Sequence, residues 1–96
     1  MSEQKRTSAD WTLILSKLYE PAKGTDETTS MFLLAAALSE GDQARARARQ
    51  RELLASIEKR GGRQAVADLV NRIATREGIP FNEALHVAAG ERPLGK

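Results

Sequence analysis

The chain contains no cysteine, a single histidine, and so few aromatic residues that they make up 4% of its 96 positions. Without cysteine there are no disulfides, no thiolate metal ligands and no thiol nucleophile, a composition that fits a reducing cytoplasm. A lone His86 cannot build a histidine metal cluster, and nothing in the sequence pairs it with a nucleophile or a carboxylate for acid–base work. Scarce aromatics argue against a platform on which bases would stack. No apolar run approaches the roughly 18–20 residues needed to cross a bilayer, and the opening MSEQKRTSAD lacks the apolar stretch of a signal peptide. The serines lie in no nucleophile-elbow context, and Gly61-Gly62 is not followed by the Lys-Ser/Thr of a phosphate-binding loop. These absences point away from an enzyme, from any cofactor or metal, and from a membrane, and the expected compartment is the cytoplasm.

Alanine and leucine are plentiful, β-branched residues are few, and no segment alternates over the length of a strand. The expectation is therefore an all-α fold: residues 1–96 as one helical domain of five short helices, with residues 1–7 and 91–96 as flexible tails. The first helix covers Ala9 to Tyr19, capped by Thr7 or Ser8, with Asp10 at the positive end of its dipole. Trp11, Ile14, Leu15 and Leu18 make its buried face. Pro21 and Gly24 stop it. The second helix follows Thr25, a candidate cap, and is apolar nearly all round through Met31, Phe32, Leu33, Leu34 and the alanines to Leu38. Such a helix is central or lies in an interface, and Gly41 can end it in the left-handed conformation. Asp42 caps a third helix, Gln43 to Lys59, with Ala46, Gln50, Leu53, Leu54 and Ile57 along one stripe. Gly61-Gly62 breaks the chain before a fourth helix, Gln64 to Arg76. Gly78 ends that one, and Pro80 is suited to the first position of a fifth, Phe81 to Ala89.

Charge is unevenly spread. Residues 1–44 carry four Lys/Arg against seven Asp/Glu, residues 45–76 nine against three, and residues 77–96 two against three. Within the basic middle, Arg45, Arg47, Arg49 and Arg51 alternate with other residues. A helix repeats every ~3.6 residues, so this row straddles the core stripe and does not form one blade. Two readings stay open. In one, the arginines are a phosphate-contacting surface whose affinity falls with salt. In the other, they are a solvated face balanced by carboxylates of the acidic first third, within the chain or across a dimer.

The stretch Val70 to Ala89 has the spacing of a helix-turn-helix: Ala74 under the second helix, Gly78 for the turn, then Ile79, Ala84 and Val87 inside. In that register Pro80, Phe81, Asn82, Leu85 and His86 face outward, and Glu77 takes a place more often apolar.

Three further segments carry a family resemblance. These are Tyr19-Glu20-Pro21-Ala22, the acidic helix start Asp26-Glu27, and the helix end Ala37-Leu38-Ser39-Glu40-Gly41-Asp42. With Ala84-Leu85 and Gly90-Glu91-Arg92-Pro93 near the end, they resemble the addiction-module antidote family, antitoxins with a Cro-like helix-turn-helix domain. Ile79-Pro80-Phe81-Asn82-Glu83 stands where that family has Ser-Arg-Glu-x-Leu-Tyr. The resemblance implies a dimeric transcription regulator that binds an operator and a small partner protein.

The leading expectation is thus a small regulator of antitoxin type that binds duplex DNA. Arg45, Arg49, Arg51, Arg63, Arg72 and Arg76 would contact phosphates, and Asn82 and His86 base edges. Trp11, Met31, Phe32 and Leu34 are the expected interface of a homodimer. The alternative is a protein-binding module, an inhibitor or adaptor, phage- or plasmid-borne, that acts through a helical surface with no nucleic-acid ligand. The arginines decide between them: gathered into one open patch they favour DNA, and neutralised by carboxylates of residues 1–44 they favour a protein partner.

Overall fold

The computed structural model describes residues 6–95, which contain four helices and no strand: α1 (Ser8–Tyr19), α2 (Asp26–Glu40), α3 (Gln43–Glu77) and α4 (Phe81–Ala88). The all-helical expectation holds, but the count is four instead of five. The expected third and fourth helices form one element across Gly61-Gly62. Gly62 takes φ 68° and ψ −159°, a conformation closed to side-chain-bearing residues, so α3 is kinked there.

Local chemistry accounts for the ends. Thr7 Oγ1 accepts the Asp10 N–H at 3.1 Å, and an Asp10 carboxylate oxygen accepts the Thr7 N–H at 3.0 Å. This reciprocal box opens α1. The Thr7 N–H and then its hydroxyl hold the Asp10 carboxyl below the usual carboxylate range. A lowered folded value means that the cap's stabilisation is full above the pH at which a free aspartate titrates. It is lost as pH falls through the lowered value. An NMR titration should place the Asp10 carboxyl below its position in an unfolded reference, with the α1 amide shifts moving at the same midpoint; a carboxyl titrating at the reference value would contradict this.

Thr25 takes the expected N-cap position of α2, but its side chain makes no capping bond; its hydroxyl donates to the Ala22 carbonyl at 2.7 Å. Gly41, at φ 74°, ends α2, and Asp42 accepts the Arg45 N–H at 3.1 Å to open α3. Pro80 sits at the N-cap of α4, one place before the helical position expected for it.

α2 packs against α1 and α3, and α4 packs on α3. The core joins Leu15, Leu34, Leu53, Leu69, Val70 and Ile73, all fully buried, with Trp11, Met31 and the small faces Ala37, Ala46, Ala84 and Ala88. The expected interface set is corrected here. Trp11, Met31 and Leu34 are buried in the core of the single chain, where α2 packs against both α1 and α3; of the four, Phe32 alone projects outward, 51% exposed. Residues 91–95, expected as a loose tail, fold back on α3: Leu94 is buried, and its N–H donates to the Gln50 side chain at 3.2 Å. The parts of the expected tails at residues 1–5 and Lys96 lie outside the described residues. No helix among the described residues is long and apolar enough to cross a membrane.

Candidate interaction surface

The six arginines expected to meet phosphates occupy both arms of the kinked α3, and most of them are already engaged. Arg45 pairs with Glu40 at 2.9 Å and Asp42 at 3.5 Å, and Arg49 with Glu52 at 2.9 Å. Arg72 donates to the Leu18 carbonyl at 2.6 Å, with Glu20 at 3.9 Å. Arg76 pairs with the buried Glu77 and lies 5.6 Å from the centroid of the Trp11 ring. This contact explains how a carboxylate fits a position more often apolar. Arg60, a cation of the same basic stretch, is held by two hydrogen bonds from its guanidinium to Glu27, at 2.8 and 2.9 Å. Those bonds favour its charged form further still. Among the described residues Arg51 and Arg63 form no ion pair. Carboxylates from the first forty-four residues therefore meet Arg45, Arg60 and Arg72. The exposed pairs of Arg45 and Arg72 add little stability, whereas Glu27 is buried beside Arg60, and a phosphate would have to compete with each.

The face of α4 is different in kind. Burial falls on Ala84, Val87 and Ala88, so that Phe81 and Leu85, one helical turn apart, point away from the core at 46% and 43% exposure. Their spacing is equally compatible with a buried stripe. The small alanines decide the matter, because they let α4 approach α3 more closely than Phe81 and Leu85 could. Pro80, Asn82 and His86 are exposed as well, so all five residues assigned outward by the helix-turn-helix register lie on the surface. The turn is built by Gly78, at φ 69°, whose N–H donates to the Ala74 carbonyl at 2.9 Å, and by Ile79, which packs on the core.

The polar groups flanking this face are drawn toward the returning C-terminal segment. His86 Nδ1 pairs with the Glu91 carboxylate, and Glu83 meets Arg92 at 3.5 Å. Asn82 is open, and His86 is tied back. The centre of the face is Phe81 and Leu85. Neither belongs to the expected site residues, although the helical register already placed both outward. No cluster of three or more His, Asp or Glu side chains among the described residues is arranged to hold a metal. Comparison with protein-family models, curated proteins and solved structures finds no match for the chain.

Proposed function

We propose that the chain is a protein-binding helical module, an inhibitor or adaptor, that docks a partner on the exposed face of α4. One observation carries this reading: Phe81 and Leu85 stand side by side on the surface while their polar neighbours Glu83 and His86 pair with the chain's own C-terminal segment. Two large apolar side chains that enter a partner's pocket contribute about 1.5–3 kcal/mol each, and aromatic anchors with an open centre and a paired polar rim are how protein interfaces are built. Phe32 and its neighbour Leu33 on α2, both exposed, support a homodimer through a separate face.

A photo-crosslinking side chain at Phe81 or Leu85, in the cells that make the protein, should trap one specific protein. The same probe at Leu13, exposed but alone on its helix face, should trap none. Equal labelling from all three positions, or from none, would overturn the reading.

A second reading, a DNA-binding regulator of antitoxin type, is supported by the helix–Gly78–helix turn and by the free Arg51 and Arg63. It would use the same α4 face and would require the paired arginines to exchange partners on DNA.

A further inference from the structure

We infer that the depression between α1 and the second arm of α3 is a docking groove for an acidic amphipathic helix of a protein partner. Ile14 and Leu18 contribute its apolar lining, and Lys17, Arg72 and Arg76 its cations, around a volume of about 310 Å³. Among the described residues no carboxylate lines the hollow itself; Glu20 reaches Arg72 at 3.9 Å and Glu77 pairs with Arg76 from outside it. Arg72 and Arg76 are one helical turn apart on α3, as Ile14 and Leu18 are on α1, so the groove matches the repeat of a helix laid along it. A second hollow, lined by Asn71, Arg72, Thr75 and Arg76, shares both arginines and extends the cationic ridge. The two arginines are fixed from behind. Arg72 is anchored on the Leu18 carbonyl, and Arg76 on Glu77 and the Trp11 ring, so little side-chain freedom remains to be lost on binding. Cations around an apolar lining call for a ligand that carries both characters at once, a leucine-like knob with carboxylates one turn away. A phosphate backbone would satisfy the cations and leave the apolar lining unfilled. This inference concerns a different surface from the α4 face and stands or falls separately.

The test uses the full chain and a labelled synthetic helical peptide with leucines in one stripe and glutamates beside it. Two companion peptides have the glutamates changed to glutamine or the leucines to serine. Trp11, the chain's one tryptophan, lies against Arg76 and reports occupancy through its emission, alongside the anisotropy of the label. The acidic peptide should bind and shift the Trp11 emission, and both companions should bind more weakly. Lys17→Glu should weaken binding about threefold to tenfold. Lys17 is exposed and forms no ion pair among the described residues, so this change leaves the fold intact. Lys23→Glu, the same charge change in the linker, and Phe81→Ala on α4 should leave binding unaltered. Absence of binding, equal weakening by Lys17→Glu and Lys23→Glu, or tighter binding of duplex DNA or phosphatidylserine vesicles at the same Trp11 signal would each overturn the inference.

Discussion

Gln50→Leu is expected to lower the unfolding free energy by about 3 kcal/mol. Gln50 is fully buried inside α3, and each polar end of its side chain is used. Its Nε2 donates to the carbonyls of Val87 and Arg92, both at 2.8 Å, and its Oε1 accepts the Leu94 N–H at 3.2 Å. One amide thus ties the end of α4 and the returning segment to the middle of α3. Leucine is close in size, so little cavity forms. The loss is the partner of three backbone groups, each worth about 1–3 kcal/mol if left buried and unpaired. Arg92 lies at the surface, so its carbonyl can turn to water, which brings the total toward the lower end. Against the ~5–15 kcal/mol typical of a whole domain, this is a large fraction. Urea unfolding followed by circular dichroism measures it, and a loss under about 1 kcal/mol would contradict the role given to Gln50.

Gly90→Ala is expected to cost about as much, for a steric reason. Gly90 has φ 78°, and a β-carbon there would stand 2.5 Å from the Arg47 carbonyl oxygen and 3.3 Å from the Arg51 backbone nitrogen. The left-handed conformation alone costs an alanine roughly 1–2 kcal/mol. The clash adds to it, because α3 backbone would have to move. Gly78→Ala supplies the comparison. Its φ is 69°, but its β-carbon would meet nothing within 4 Å, so only the conformational part, about 1 kcal/mol, is expected. For a chain of this size each kcal/mol shifts the melting temperature by about 4–8 °C. Gly90→Ala should therefore melt at least about 10 °C below the parent, and Gly78→Ala only a few degrees below. Equal shifts would show that the close approach at Gly90 carries no energy. Gln50→Leu and Gly90→Ala loosen the same segment, so their combined effect should fall short of additive.

Short-range chemistry was legible without coordinates. Thr7 as one of two candidate caps, Asp10 in the first turn, the Gly41 stop and the Asp42 cap follow from residue type and position, and the Ala46, Gln50, Leu53, Ile57 stripe from helical period alone. What failed to read through depends on contacts far apart in the chain, or on a choice between two locally equivalent solutions. Glycine at 61 and 62 permits a break or a kink, and local sequence does not say which. The apolar positions of α4 fit two faces, and only the closeness of Ala84 and Ala88 to α3 selects the one that leaves Phe81 and Leu85 outside. Gln50 sits in the expected stripe, but two of its three partners, Arg92 and Leu94, lie in a segment that reads as a tail because it is short and rich in glycine, proline and charge. The arginine partners were the least accessible feature: Glu27 and Arg60 are separated by 33 positions, and no periodicity links them.

The most direct measurement is a fluorescence-anisotropy titration of labelled duplex DNA with the full chain at two salt concentrations. With four of the six arginines, Arg45, Arg49, Arg72 and Arg76, already engaged within the chain, it should show no saturable binding and no steep response to salt. Six arginines released onto phosphates would instead give a log–log salt slope of about −5, at roughly −0.9 per contact. Saturable binding with such a slope, weakened when Arg51 and Arg63 are both changed to glutamate, would contradict the protein-binding reading and restore DNA as the ligand.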